Sequence, residues 1–222
     1  MTQPRLLDLY AGAGGASVGY HRAGFDVVGV DIADQPNYPF RFVKADALEF
    51  VAACGDLFDV IHASPPCQGY TALTTGTNAG RTAQPKLVAA TREALEATGR
   101  PYVIENVQGS DVRRDITLCG EMFGLSVIRH RYFELGGWTM PHPVHKPHRG
   151  RVQGWRHGTY YAGPYYAVHG DGGGKGTVAE WQQAMGIDWT AGRKEIAEAI
   201  PPAYSAFIGR GLLEHLGARA AA

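Results

Sequence analysis

Two short polar segments contain the side chains best suited to covalent chemistry. Cys67 lies in Ser64-Pro65-Pro66-Cys67-Gln68, where two prolines restrict the backbone around a thiol. Glu105-Asn106 follows the apolar run Tyr-Val-Ile. A pre-organised thiol is a candidate nucleophile, and a carboxyl group on a buried strand can have a raised pKa and act as an acid. The plainer alternatives are an inert loop cysteine and a loop carboxylate that holds a backbone N–H.

A glycine-rich segment, Asp8 to Gly15 (DLYAGAGG), is typical of a turn that lets the backbone approach a ligand closely. Asp31 and Asp46 end the next two apolar runs, where a carboxylate can bind ribose hydroxyls or lie near an adenine. Ser17 stands where the dinucleotide pattern GxGxxG requires its third glycine. The glycine-rich segment and the two aspartates therefore predict a pocket that binds an adenosine group, without clearly indicating NAD. The alternative is that the segment is only a tight turn and that the two aspartates are only helix caps.

All of these residues follow predicted strands. Apolar runs predict strands at Arg5–Tyr10, Phe25–Ile32, Phe42–Ala45, Phe58–Ala63, Tyr102–Val107, Leu125–Ile128 and Tyr132–Leu135, of which the last two are close enough in sequence to form a hairpin. Helices are predicted at Gly15–Ala23, Ala47–Cys54, Lys86–Ala97, Val178–Met185, Glu195–Ala199 and Tyr204–Leu216. This alternation favours an α/β fold with a doubly wound, mostly parallel sheet, which binds ligands beyond the carboxyl ends of its strands.

Composition narrows the class of protein. With 222 residues, 45% hydrophobic and 19% charged, the chain has the composition of one globular domain, alone or with a small appendage. Its formal net charge is zero, so a polyanion must be met by a local basic patch. The three cysteines form no CxxC pair, which argues against a disulfide framework or a zinc ribbon. No apolar run reaches a membrane span and no signal peptide is evident, so a cytoplasmic location is expected.

Residues 138–177 differ in composition from the rest of the chain. Glycine, histidine, proline and tyrosine dominate, and the periodicity of strands and helices disappears. The basic side chains there, against the single acid Asp171, are Lys146, Arg149, Arg151, Arg156 and Lys175. We interpret the stretch as a small loop-rich module that contacts nucleic acid, the alternative being a solvated basic loop. The glycine run 171–176 lacks the full P-loop pattern and is expected to be a hinge.

The histidine spacing in this module raises the question of a metal site. His142, His145 and His148 are separated by two residues each. Prolines at 141, 143 and 147 oppose the helix that would align them, and no cysteine is near in the sequence. We therefore expect no metal. Cys54 and Cys119 are expected to be structural cysteines.

The ordered set DLYAGAGG, VVGVDI, ADA, SPPCQ, ENV, RHR and IPPAYSAFIG resembles the cytosine-C5 DNA methyltransferase family. The likeness runs from about Leu6 to Leu135 and resumes from about Val178 to Leu213. The resemblance implies a Rossmann-like, S-adenosylmethionine-dependent methyltransferase, similar in its compactness to stand-alone enzymes of bacteria and their phages. It also implies a catalytic domain over residues 1–137 and 178–222, with a reduced target-recognition module over 138–177.

The resemblance implies S-adenosylmethionine as the cofactor, S-adenosylhomocysteine as its product, and no metal. In this assignment Asp31 binds the ribose and Asp46 the adenine amino group. The other implied cofactor residues are Asp8, Tyr10, Ala11, Gly12, Gly14 and Gly15 around the methionine part, Ile32, Ala47 and Pro65 around the adenine, and Tyr204 and Ser205, which would close over the cofactor.

The resemblance also implies a covalent mechanism. Cys67 would attack C6 of cytosine, Glu105 would bind the exocyclic amine and protonate N3, and Asn106 lies beside it. C5 of cytosine is a poor nucleophile, and addition at C6 with protonation at N3 makes it able to attack a sulfonium methyl group. The sequence thus offers a thiol, an acid and an adenosyl pocket at one edge of a sheet.

Double-stranded DNA is the partner that the resemblance implies, with the target cytosine flipped out of the helix. Arg129 and Arg131 resemble paired arginines that brace the active site, although Val127 stands where a Gln often precedes them. The expected DNA contacts are Gln68, Arg149, Arg151, Trp155, Arg156, Tyr160 and Lys175, with Lys146 and Tyr165 as further candidates. A monomer is expected.

Two other classes of function remain open on the sequence. The short module also suits methylation of cytosine in RNA or in a free nucleotide. A non-catalytic DNA-binding protein could keep the fold for occupancy, although the presence of Cys67, Glu105 and Asp8 argues against a lapsed enzyme. Protection of DNA in a restriction-modification system is the obvious use of the leading activity.

Overall fold

The computed structural model describes residues 3–66, 87–169 and 176–220. A seven-stranded sheet is flanked by helices, and a separate two-stranded hairpin lies after it. The strands are β1 (Arg5–Leu9), β2 (Asp26–Asp31), β3 (Arg41–Lys44), β4 (Val60–Ala63), β5 (Tyr102–Asn106), β6 (Ile116–Leu118), β7 (Arg131–Gly136), β8 (Gly154–Arg156) and β9 (Thr159–Tyr161). The helices are α1 (Gly15–Ala23), α2 (Ala47–Cys54), α3 (Val88–Ala97), α4 (Val178–Met185), α5 (Arg193–Glu198) and α6 (Pro202–Ala220).

The order of strands in the large sheet is β3-β2-β1-β4-β5-β7-β6. The first five of these strands run parallel, whereas β7 pairs antiparallel with both β5 and β6. The predicted doubly wound, mostly parallel α/β fold is confirmed. The chain moves outward from β1 to β3 and then returns to β4 on the other side of β1. Ligands in such sheets bind at this reversal, beyond the carboxyl ends of β1 and β4.

Alternation of side chains along each strand builds two cores, one on each face of the sheet. Leu6, Val60 and Val103 face a cluster that α1 and α6 cover. Leu7 and Ile61 face the opposite cluster, which α2 and α3 cover. Because both faces are covered, the central strands read as continuous apolar runs rather than as alternating ones.

Helix α1 packs closely on α6 because glycine stands at their contact. A Cβ atom added at Gly19 would overlap the Ser205 hydroxyl and the Pro202 carbonyl. The predicted bounds of α1 and its end at Gly24 are confirmed, with Gly24 at φ 119°. The predicted cap at Asp46 is also confirmed, since this carboxylate accepts from the N–H groups of Leu48 and Glu49.

The predicted strand at Leu125–Ile128 is wrong. The backbone there pairs outside the sheet, since the Leu125 N–H donates to Gly120 O and Ser126 O accepts from Tyr166. The strand that pairs with β7 is β6, a three-residue element too short to give a clear pattern. The last helix also exceeds its prediction, because α6 continues to Ala220 rather than fraying after Leu216.

A third, smaller core lies beside the sheet. Val127 and Val168 pack there against Trp181, Met185 and Ile196 of α4 and α5. Helix α4 begins at a capping box, in which the Thr177 hydroxyl accepts from the N–H of Glu180 and the Glu180 carboxylate accepts from the N–H of Thr177. None of the helices in the described ranges is long and apolar enough to cross a membrane.

Replacing Gly19 by alanine should force α1 and α6 apart. Overpacking of this kind costs about 1–3 kcal/mol. Gly217→Ala is the matched control, because this glycine also lies in a helix and an added Cβ would meet nothing within 4 Å. The control should gain about 0.5–1 kcal/mol from the helix preference of alanine. Urea unfolding of both variants measures the difference, and equal stabilities would contradict the close contact.

Candidate functional site

The glycine-rich segment after β1 is fixed from several directions. The Gly12 N–H donates to Asp31 Oδ2 over 3.0 Å, and the Ala11 N–H donates to Val30 O over 3.1 Å. The indole N–H of Trp189 donates to Ala13 O over 2.8 Å. Tyr10, at φ 58°, is one of two non-glycine residues with positive φ in the described ranges. The segment is therefore held open at the end of β1 by β2 and by the chain that precedes α5.

Asp8 is a buried carboxyl group directly beneath this segment. Its Oδ2 accepts a hydrogen bond from the Ser17 hydroxyl, which also contacts the Tyr38 hydroxyl. Burial raises the pKa of Asp8 to about 7, against the lowering effect of Ser17 and with a further increase from Asp31. Its Oδ1 is buried and has no hydrogen-bond partner within the described part of the chain. This oxygen is available to a ligand that brings a donor or a positive charge.

The rest of the predicted cofactor residues surround the same edge. A Cβ atom at Gly12 would meet nothing within 4 Å, so the space before this glycine is open. The Ile32 side chain is 70% exposed, which is unusual for a large apolar group at a strand end. Asp46 uses one oxygen as the cap of α2, and Ala47 is buried behind it. An open backbone, an unpaired acid oxygen and an exposed apolar side chain together fit a nucleoside with a charged tail.

Tyr204 and Ser205 do not lie as the sequence suggested. Both side chains are fully buried against α1 and β7, and the Tyr204 hydroxyl donates to Arg129 O over 2.7 Å. The Ser205 hydroxyl donates to Pro202 O within its own helix. The contacts of both residues are packing contacts, because Gly19 lets α6 approach so closely that Ser205 is enclosed.

The candidate acid, Glu105, is buried and paired. Its Oε1 lies 2.9 Å from Nε of Arg131, the first residue of β7. Burial raises the pKa of Glu105, opposed by the charges of Arg131 and Arg129 and by a hydrogen bond from Ser64. The net direction is upward, so the carboxyl group holds a proton at a higher pH than an exposed glutamate does.

The loop after β4 is held beside Glu105 by a hydrogen bond from the neighbouring Asn106. Asn106 Nδ2 donates to Pro65 O over 2.9 Å, and its Oδ1 accepts from the Val107 N–H. Asn106 thus positions the start of the Ser64-Pro65-Pro66 loop beside Glu105. Cys67 and Gln68 follow Pro66 in the sequence and lie outside the described residues.

A neutral histidine supports this loop from within the sheet. His62 is fully buried on β4, and burial lowers its pKa to about 3. Its Nδ1 lies 2.9 Å from the Tyr20 hydroxyl and its Nε2 lies 2.9 Å from the Ser64 hydroxyl. Through His62, Tyr20 of α1 is connected to Ser64, and Ser64 in turn donates a hydrogen bond to Glu105.

The two predicted arginines have different roles. Arg131 contacts Glu105 directly and also donates to His130 O. Arg129 is buried, and its guanidinium donates to Val168 O over 2.9 Å and to Ala197 O over 2.5 Å. Arg129 therefore connects β7 to the third core, and its charge acts on Glu105 from a distance.

Some of the residues expected to contact DNA lie exposed on the β8–β9 hairpin. Trp155 and Tyr160 form a cross-strand pair, 59% and 51% exposed, with ring centroids 5.6 Å apart. Arg151 lies with its guanidinium 5.0 Å from the centre of the Tyr161 ring. Arg156 belongs to β8, but its side chain is not described, and Lys175 lies outside the described residues.

Two further residues of this segment differ from the expectation. Tyr165 is fully buried and packs on the His148 ring, so it cannot stack on a base. Arg149 is exposed, but its Nε donates to Glu121 Oε1 over 2.5 Å. Arg149 is therefore already paired with a carboxylate of this chain.

Sequence reasoning missed three residues that shape the site: Trp189, His62 and Tyr38. Trp189 ends a tryptophan-containing segment that reads equally well as core packing. His62 sits inside the apolar run FDVIHA, and a polar residue in a buried strand was the available signal. Tyr38 gave no local signal, since it is brought to Ser17 by the loop between β2 and β3.

Comparison with known proteins agrees with this architecture. No protein-family model matches the chain. The chain is 35% identical over 129 residues to the type II methyltransferase M.XorII of Xanthomonas oryzae pv. oryzae, covering 50% of this chain and 30% of that protein. It is 32% identical over 73 residues to the type II methyltransferase M.FnuDI of Fusobacterium nucleatum, covering 30% and 21% respectively. The chain thus spans less than a third of either relative.

Solved structures share the fold over almost the whole chain. The Entamoeba histolytica methyltransferase EhMeth superposes with a TM-score of 0.68 at 12% identity, covering 97% of this chain and 99% of that one. The S. pombe Dnmt2 methyltransferase gives 0.66 at 16% identity, with the same coverage. At these identities the likeness establishes the fold alone. The type II methyltransferase relatives and the shared fold agree with the predicted resemblance to the cytosine-C5 DNA methyltransferase family.

Replacing Asp8 by asparagine should change how stability depends on pH. The pKa of Asp8 is raised to about 7 from 3.8, so the folded chain keeps a proton that the unfolded chain releases. The wild type should therefore lose about 3 kcal/mol of stability from this group between pH 5 and pH 8. In Asp8→Asn that loss should disappear.

Urea unfolding at both pH values, without added cofactor, measures this effect. Asp56→Asn is the control, because it removes an exposed carboxylate far from the glycine-rich segment. The Asp56→Asn protein should retain the decline of the wild type. An Asp8→Asn protein with the same decline would show that Asp8 is not the responsible group.

Proposed function

We propose that this chain is an S-adenosylmethionine-dependent methyltransferase that acts on C5 of cytosine in DNA. The observation that carries the proposal is the buried Glu105–Arg131 pair, with Asn106 binding the loop that leads to Cys67. An acid with a raised pKa and a loop that ends in a thiol are thereby attached to one strand end. The adenosyl-type pocket lies two strands away, beyond β1.

The cofactor assignment rests on the glycine-rich segment. Asp8 and the backbone of residues 10–15 would hold the methionine part, and Asp31 and Ile32 would hold the ribose and one face of the adenine. When bound, S-adenosylmethionine supplies an electrophilic methyl group on a sulfonium sulfur. Because Asp31 already accepts from the Gly12 and Ala33 N–H groups, binding would use an acid that is fixed beforehand.

The covalent step assigns one task to each residue. The Cys67 thiolate adds to C6 of cytosine while the Glu105 carboxyl group gives its proton to N3, which leaves an electron-rich C5. After C5 has gained the methyl group, a base removes its remaining proton, the Cys67 thiolate leaves, and N3 returns its proton to Glu105. Splitting the reaction in this way avoids direct attack by an unactivated aromatic carbon. Arg131 would keep Glu105 oriented throughout the cycle.

The β8–β9 hairpin is the proposed contact with double-stranded DNA. Trp155 and Tyr160 present an exposed aromatic pair, and base–aromatic stacking contributes about 1–3 kcal/mol per base. Arg151 beside them can reach a phosphate or a guanine edge. Residues 138–177 would then act as a reduced recognition module on a catalytic domain formed by the rest of the chain, with the target base flipped out.

Cys67→Ser should abolish methyl transfer, because a serine hydroxyl is far less ionised than a thiol at neutral pH. DNA from cells that express the wild type should contain new 5-methylcytosine by nucleoside mass spectrometry, and DNA from Cys67→Ser cells should contain none. Cys54→Ser, which changes a partly exposed thiol of α2, is the matched control and should methylate normally.

Each alternative outcome of this experiment is informative. Equal methylation by Cys67→Ser would exclude the thiol mechanism. A modified cytosine in RNA or in the nucleotide pool, with none in DNA, would exclude DNA as the substrate. The absence of modified bases with folded wild-type protein would favour the non-catalytic interpretation.

Glu105→Gln should slow single-turnover methyl transfer about 10²–10⁴-fold, the usual contribution of a positioned acid. In the wild type the rate should fall as pH rises through the raised pKa of Glu105, since only the protonated form donates. Glu134→Gln is the control, because Glu134 is buried one strand away and is held by Arg92 and Arg113. A Glu105→Gln rate within threefold of the wild type would remove Glu105 from the acid role.

A further inference from the structure

Four potential metal ligands converge on one point outside the site described above. Their ligand atoms, from Cys119, His130, His145 and His148, all lie within 4.8 Å of one another. The three imidazole ring centroids are 4.9 to 5.2 Å apart. No other such group of three or more His, Cys, Asp or Glu side chains occurs in residues 3–66, 87–169 and 176–220.

The separations suit one small tetrahedral ion. Two imidazole nitrogens bound about 2.1 Å from a common zinc ion lie about 3.4 Å apart. His130 Nε2 and His145 Nε2 are 3.1 Å apart, already close to that spacing. A hydrogen bond between two neutral imidazoles would explain this pair alone, but it would not explain why a buried thiol and a third imidazole join them.

The surroundings of the cluster resemble those of a bound metal. His148 Nδ1 lies 3.4 Å from Glu121 Oε2, so a carboxylate stands beside this ring, as is common around metal-binding histidines. Burial raises the pKa of the Cys119 thiol, and the backbone N–H groups of Glu121 and Arg129 that point to its sulfur oppose this rise.

We infer that Cys119, His130, His145 and His148 bind one Zn²⁺ ion. Thiolate and imidazole are the ligand types that zinc prefers, and four protein ligands leave no open position, as in structural sites. The expectation that no metal is present rested on the prolines that oppose a helix and on the absence of a cysteine near the histidines. Cys119 is far in sequence but adjacent in space, because it follows β6 and β6 pairs with β7.

His142 is not a member of the cluster, although its spacing matched. Its Nε2 accepts from the Thr117 N–H and its Nδ1 lies beside Pro143 O. His142 therefore offers a matched control histidine in the same segment. Cys54 in α2 is the corresponding control for the thiol.

The position of the site suggests what the ion does. It joins the end of β6, the residue before β7 and the segment that leads to the β8–β9 hairpin. His130 directly precedes Arg131, the partner of Glu105. The ion would therefore hold the hairpin segment against the strand pair that carries Arg131, and it would act through structure rather than on the substrate.

Metal analysis of the untagged full chain tests this inference. The wild type, purified and dialysed against buffer with trace zinc, should carry one zinc per chain, as should Cys54→Ser and His142→Ala. Cys119→Ser and His145→Ala should each lose zinc at least tenfold. A wild type without zinc after titration with Zn²⁺, or both ligand variants with full zinc content, would overturn the inference.

A spectroscopic test does not depend on the folding of the ligand variants. In Cys54→Ser/Cys67→Ser, Cys119 is the only thiol, because the chain has three cysteines. Substitution with Co²⁺ should give intense tetrahedral visible bands and a sulfur-to-cobalt charge-transfer band in the near ultraviolet. Weak octahedral bands without charge transfer would contradict a closed site with Cys119. Methylation plays no part in either measurement, so failure of the proposed function would leave this result unaffected.

Discussion

The buried pair between Glu105 and Arg131 constrains the edge of the sheet at which β4 and β5 end. A carboxylate enclosed on the α1–α6 face is costly unless a cation reaches it, and the cation comes from β7. β7 runs antiparallel to β5, so its first residue lies at the edge where the parallel strands end. The reversal of one strand therefore brings a positive charge to the carboxyl ends of the others. The loop after β4 is joined to the same carboxylate, because Ser64 donates to Glu105. Asn106 and His62 hold this loop in place through their contacts with Pro65 O and the Ser64 hydroxyl.

The pocket beyond β1 follows from a similar constraint. The backbone of the glycine-rich segment is held by Asp31 from β2 and by Trp189 from the chain before α5. The close contact of α1 with α6 brings the last part of the chain back to the first. The amino-terminal and carboxyl-terminal parts thus build one site, and within the described ranges β8 and β9 form a sheet of their own outside it.

Much of this arrangement could be predicted from the sequence, and the failures have physical causes. The bounds of α1 and the cap of α2 could be predicted because each depends on neighbouring residues only. Gly24 ends α1 in a left-handed conformation, and the Asp46 carboxylate accepts from N–H groups in the first turn of α2. β6 could not be predicted, because three residues carry no period. The ligands of the inferred zinc site lie 29 residues apart, from Cys119 to His148, and only strand pairing brings them together. Tyr204 looked like a pocket residue because sequence does not tell which side of a helix packs on β7.

The proposed mechanism requires Cys67 to form a bond to C6 of cytosine at the site that Glu105 and Arg131 define. DNA carrying 5-fluorocytosine tests it most directly, because fluorine at C5 cannot leave as a proton does and the covalent adduct persists. Mass spectrometry of the protein digested after reaction with this DNA and S-adenosylmethionine should locate the adduct on the Cys67 peptide, with none formed by Cys67→Ser. An adduct on another residue, or none from wild-type protein that methylates ordinary DNA, would contradict the account.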